Sequence, residues 1–155
     1  MSILSSNSAL RESTVREWIK TYLPYLEEDA DYELKDGPFI ESGIEYPEKM
    51  TIFVKNKDVI LVDCKGLEGE NLPEYINFGS IVAGSFICSH SNFKSMRGFP
   101  KNIGGHFDCS FCPNITSLEH APKIVDKDFA VVNCGKQFTE EEIRKGRHIT
   151  GIVYC

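Results

Sequence analysis

Three segments of the chain lie on one another almost residue for residue: Ile81-Val-Ala-Gly-Ser-Phe-Ile-Cys88, Ile103-Gly-Gly-His-Phe-Asp-Cys109 and Ile124-Val-Asp-Lys-Asp-Phe-Ala-Val131. Phe107 follows Phe86 by 21 residues, and Phe129 follows Phe107 by 22. A fixed period of this length is the mark of a stack, in which each unit buries its apolar face on the next. It also decides how the cysteines, glycines and histidines inside it are read.

Within each unit an Ile or Val pair leads through a polar or glycine turn into a short strand. Alternation puts Phe86 with Cys88, Phe107 with Cys109, and Phe129 with Val131 on one face. Polar turn residues follow, with Asn92 and Asn114 placed to hydrogen-bond the backbone of stacked turns. A second apolar position comes next, Met96 or Leu118, and the unit closes on Gly98-Phe-Pro100 or His120-Ala-Pro122. The pattern extends to Ile149-Thr-Gly-Ile-Val-Tyr-Cys155 and back to Asp58-Val-Ile-Leu61. About five rungs are expected, near 59–61, 86–88, 107–109, 129–131 and 153–155. Gly104 and Gly105 read as turn residues needing positive φ. Thr139-Glu-Glu-Glu142 is a capping box, which predicts a short helix before the last strand, with Arg144 and Lys145 at its end and Gly146 to stop it.

Upstream, Val15, Trp18, Ile19, Tyr22, Leu23 and Leu26 recur at helical spacing and predict one apolar helix face. Pro24 should end or kink that helix near Leu23. Residues 27–36 hold six carboxylates and read as a solvated acidic loop. Thr51-Ile-Phe-Val54 and Val59-Ile-Leu-Val62 read as strands, with a turn at 55–58; Leu67 and Leu72-Pro73 follow. The predicted fold is thus an α+β repeat protein: an N-terminal helix and acidic loop over residues 1–49, packed on a short solenoid over residues 50–155.

The units Gly84-Ser-Phe-Ile-Cys-Ser89, Gly105-His-Phe-Asp-Cys-Ser110 and Asn114-Ile-Thr-Ser-Leu-Glu-His-Ala-Pro-Lys123 resemble the short leucine-rich-repeat-like proteins encoded by tailed bacteriophages. The close, Cys134-Gly-Lys-Gln-Phe-Thr-Glu-Glu-Glu-Ile-Arg-Lys145, and the segment Ile52-Phe-Val-Lys-Asn-Lys-Asp-Val-Ile-Leu61 are similar to that family too. The resemblance covers about residues 50–155 and implies a β-solenoid of phage origin, with no catalytic motif attached. Phe93 and Met96 at aliphatic positions, the inserted Cys112-Pro113, and His120 in place of glycine depart from the pattern.

Chemistry is sparse. The chain has 155 residues and six cysteines. Without a signal peptide or a long apolar run, a reducing host cytoplasm is expected, and no membrane. Cys109-x-x-Cys112 lies near His90, His106, His120 and Cys134 in sequence, but a structural zinc site usually takes two such knuckles. Cys88, Cys109 and Cys155 fall at equivalent rung positions and read as an internal ladder. No phosphate-loop or nucleophile-elbow pattern is present, so no cofactor or catalytic residue is assigned and the reading is non-enzymatic.

Charge is uneven. Residues 1–80 hold 8 Lys+Arg against 16 Asp+Glu, and residues 81–155 hold 9 against 7. The acidic excess argues against general nucleic-acid binding and leaves open attraction to a basic partner. The leading expectation is a phage accessory protein that binds, and inhibits, a host bacterial protein. The candidate contact residues are Glu27, Glu28, Asp29, Asp31, Phe93, His120, Arg144 and Lys145. The alternatives are an acidic nucleic-acid mimic, a zinc-stabilised module or metal-dependent enzyme, and a virion structural protein. The oligomeric state is left open.

Overall fold

A computed structural model describes residues 8–61 and 71–155. Val62 and Leu67 of the predicted strand region, and Cys64, lie outside the described residues. Helix α1 spans Ser8–Tyr22 and buries Val15, Trp18 and Ile19, with Leu23 and Leu26 buried just beyond it. It stops before Pro24, whose ring cannot continue the hydrogen-bonded turn. Trp18 meets Phe78 edge-on at 6.2 Å, so the helix covers one end of the stack.

Residues 32–46 correct the expected acidic loop. Strands β1 (Tyr32–Asp36), β2 (Phe39–Glu41) and β3 (Ile44–Tyr46) form there. The cause is period-two patterning beneath the charge: Tyr32 is buried and Leu34 half-buried between exposed Glu33 and Lys35. β1 runs antiparallel to β4 (Met50–Val54), with Tyr32 opposite Val54. β2 and β3 form a hairpin, with Ser42 and Gly43 both at positive φ (51° and 76°). That is the geometry of a two-residue type I′ turn, whose twist matches the flanking strands.

The stack follows. β5 (Val59–Ile60), β6 (Asn77–Phe78), β7 (Phe86–Ile87), β8 (Asn102–Ile103) and β9 (Phe107–Asp108) lie along the chain before β10 (Ile124–Val125) and β11 (Phe129–Ala130). β12 (His148–Ile149) and β13 (Val153–Tyr154) complete it. β5, β7, β9, β11 and β13 pair in parallel as one five-stranded sheet, with Val59, Phe86, Phe107, Phe129 and Val153 in register. These are the five predicted rungs. Short strands ahead of the later rungs build a second ladder, β8–β10–β12, with Ile103, Val125 and Ile149 in register and Ile81 bridging to Ile103. β6 lies parallel to β4. The molecule is therefore a parallel β-solenoid of about four turns.

The core runs along the axis. Phe107 is fully buried, 4.9 Å from Phe129 and 6.2 Å from Phe99 by ring centroid. Gly104 and Gly105 do not adopt the positive φ expected of them. They are required by close approach instead. A Cβ on Gly104 would sit 2.0 Å from the carbonyl oxygen of Val82, one turn away. Cys155 is exposed at the last rung and leaves the predicted cysteine ladder to Cys88 and Cys109.

The short helix α2 (Glu140–Arg144) precedes β12, as predicted. Thr139 Oγ1 accepts from the Glu142 N–H, and the Thr139 N–H donates to Glu142 Oε1, both at 3.1 Å. Gly146 follows at φ 71°.

Candidate binding surface

Four positions after the Phe of each of the three middle rungs the backbone turns left-handed. His90 (φ 58°), Phe111 (φ 56°) and Asn133 (φ 53°) occupy this place in three successive turns. Asn and His visit this region several-fold more often than other residues, whereas a bulky side chain there is an outlier. Phe111 is that outlier, and it is 44% exposed. Its ring stacks on His90 with centroids 4.7 Å apart and planes within 9°. The result is a flat aromatic ledge on a rigid corner. Sequence reasoning missed it, although Asn133 at the equivalent place was a usable signal for a left-handed turn.

The next residue in each corner explains the thiols. Ser91 Oγ donates to Leu61 O at 2.8 Å. Cys112 Sγ donates to Cys88 O at 3.3 Å, and Cys134 Sγ to Cys109 O at 3.1 Å. All three satisfy the carbonyl closing the preceding rung, so Cys112 and Cys134 do with S–H what Ser91 does with O–H. The Cys109 and Cys112 sulfurs are 3.4 Å apart, well beyond a disulfide bond. Burial pushes the Cys88 thiol up. The hydrogen bond with Cys109, and then burial, push Cys112 up strongly. For Cys109 the contact with Cys112 pulls down, but Cys88 and burial outweigh it and the thiol ends well above its ordinary value. Metal ligation needs thiolates, and no group of three or more His, Cys, Asp or Glu with metal-holding geometry occurs among the described residues.

The predicted contact residues do not form one patch. Phe93 is 1% exposed and packs edge-on against Phe99 at 5.5 Å, so it belongs to the core and presents nothing to a partner. Glu28 is paired with Arg16 at 2.7 Å, which holds its carboxyl below the usual range. Asp31 Oδ2 accepts from the Glu27 N–H at 2.9 Å and caps a local turn. Glu27 and Asp29 are exposed. Arg144 donates to Ile149 O at 2.9 Å and Gly151 O at 3.0 Å, closing the last turn of the stack. Lys145 beside it is exposed. His120 is exposed at φ 68°, at the place where the preceding turn has Gly98 at φ 85°.

The hairpin offers a second apolar feature that the sequence reading missed. Ile40 is 71% exposed on its outer face. Phe39 stacks on Tyr46 at 4.7 Å, with Lys35 Nζ 4.3 Å from the Phe39 ring. Ser42-Gly43 between alternating segments was the signal for it. No protein-family model, curated protein or solved structure matches this chain.

Proposed function

We propose that this protein is a non-enzymatic binding module whose stack presents the His90–Phe111 ledge to a protein partner. The observation that supports it is the backbone of Phe111. A left-handed conformation costs a non-glycine residue about 1–2 kcal/mol, and a phenylalanine half in water returns little of that. Strain held at an exposed position points to use rather than to packing. Aromatic side chains on rigid backbone are also the commonest anchors of protein interfaces. The resemblance to phage proteins makes a host bacterial protein, met in the host cytoplasm, the partner of choice. The acidic-mimic reading is weaker, because Glu28 is neutralised by Arg16 and Asp31 is held by the backbone.

Phe111→Asn tests this cleanly, because Asn133 already occupies the same conformation in the next turn. The variant should be at least as stable as the parent. It should lose a partner captured from bacterial lysate by the parent, read by quantitative mass spectrometry. Capture that is identical with both proteins removes the ledge as the binding site.

A further inference from the structure

A second column of side chains lies at the start of the β8–β10–β12 ladder. Lys101, Lys123 and Arg147 each immediately precede one of its strands. The backbone stacks them directly: the Lys123 N–H donates to Lys101 O at 2.7 Å, and the His148 N–H donates to Lys123 O at 2.8 Å. Rungs of a sheet are about 4.8 Å apart, so three cationic residues rise within roughly 10 Å. Like charges on adjacent strands repel. None of the three has a carboxylate partner among the described residues, although the other ion pairs there engage most of the arginines.

The column is also partly built into the fold. Arg147 is held by three carbonyls: Nε donates to Pro122 O at 3.0 Å, Nη2 to Leu118 O at 2.9 Å and Nη1 to Ile143 O at 3.3 Å. Two of its five N–H donors have no partner among the described residues, on a guanidinium that needs no further ordering. Lys101 is half-buried, and its ammonium is pushed down first by burial and then by the charges of Lys123 and Arg147. Surface lysines normally avoid this situation by pairing or by extending into water. Here a fixed backbone register holds the charges together.

We propose that the Lys101–Lys123–Arg147 column binds a compact phosphate dianion, either inorganic phosphate or the terminal group of a phosphomonoester. Two negative charges offset the mutual repulsion of three cations, and a tetrahedral oxyanion accepts from donors on successive rungs. Planar guanidinium donors pair well with such oxygens. The site is separate from the aromatic ledge and stands whether or not that ledge binds protein.

The test is an amide NMR titration of the whole chain with inorganic phosphate at constant ionic strength, with thermal melts in parallel. Saturable shifts at Lys123, Ile124 and His148, and a phosphate-dependent rise in melting temperature, are expected. Lys101→Gln should weaken binding by about tenfold to a hundredfold and, without phosphate, melt no lower than the parent. Lys57→Gln, an exposed lysine at another corner, should change nothing. Tighter binding of glucose 6-phosphate than of phosphate assigns the site to phosphomonoesters, and weaker binding assigns it to the free ion. Linear, non-saturating shifts, or identical titrations of parent and Lys101→Gln, overturn the site. Tight binding of single-stranded DNA with no response to phosphate also overturns it, in favour of a polyanion groove. Should Lys101→Gln fold poorly, Lys123→Gln, at an exposed position, carries the same prediction.

Discussion

The stack and its N-terminal cover are held together by different means. In the stack, from β5 to β13, stability comes from repetition: Phe86, Phe107 and Phe129 rest on one another in successive turns, and each corner residue satisfies a carbonyl of the last. In the cover, from α1 to β4, no position repeats. It is pinned by single contacts, such as the bidentate Arg11–Asp36 pair (2.8 and 2.6 Å) and the Tyr25 hydroxyl. That hydroxyl donates to Asp58 O at 2.7 Å and accepts from the Ile60 N–H at 2.9 Å, so it occupies an outward-facing group of the first rung. A repeated contact tolerates variation, because its neighbours restate it. A single contact has no understudy.

The largest expected difference lies in the core. Phe107→Ala removes a fully buried ring that touches Phe86, Phe99 and Phe129. It should destabilise by about 3–5 kcal/mol in urea unfolding; a loss below about 1 kcal/mol would mean that the phenylalanine column does not hold the stack. Gly104→Ala comes next, at about 1–3 kcal/mol, because its Cβ meets a neighbouring carbonyl rather than a movable side chain. Tyr25→Phe tests the cover against this. It removes a hydroxyl joined to the first rung and should cost about 1 kcal/mol, with hydrogen exchange at Ile60 rising more than at Phe107. Uniform loosening along the chain would erase the distinction between the two regions.

Acid should weaken the cover through two of its ion pairs. The hydrogen bond from Arg11 holds the Asp36 carboxyl below its ordinary value, and Arg16 does the same for Glu28. A depressed carboxylate stabilises the fold above its unfolded pKa of about 4 and loses that contribution as pH falls through the lower folded value. Asp36→Asn should therefore flatten the stability profile below about pH 4 while leaving it parallel to the parent above. The smallest effect is at His120. Replacing it with glycine, as the equivalent Gly98 suggests, relieves a left-handed backbone but frees the unfolded chain. A net gain under about 1 kcal/mol is expected by thermal melt. The exchange is not symmetrical, because a Cβ at Gly98 would lie 2.8 Å from Ile76 O.

The same contrast explains what could be read from residues alone. The five rungs were legible because their period repeats the information several times over. The capping box at Thr139 was legible because its chemistry is local. β1, β2 and β3 were hidden by carboxylate density, although Tyr32 and Leu34 alternate correctly and Ser42-Gly43 marks the turn. Phe93 looked like a surface departure because its aromatic ring exceeds the usual aliphatic volume, yet the core accommodates it beside Phe99. The ledge and the cationic column depended on which residues share a corner after 21 to 24 residues of chain, and that is set by register rather than by composition. Phe111 illustrates the limit: its ring is apolar, and nothing in its immediate neighbours announces a left-handed backbone.

Ser91, Cys112 and Cys134 answer one carbonyl each with interchangeable atoms, and His90, Phe111 and Asn133 share one backbone shape beneath unlike side chains. The corners thus work like numbered pegs on a rack. What hangs on a peg can be exchanged without rebuilding the frame, so lineages of this chain can acquire new recognition one corner at a time while the frame folds as before.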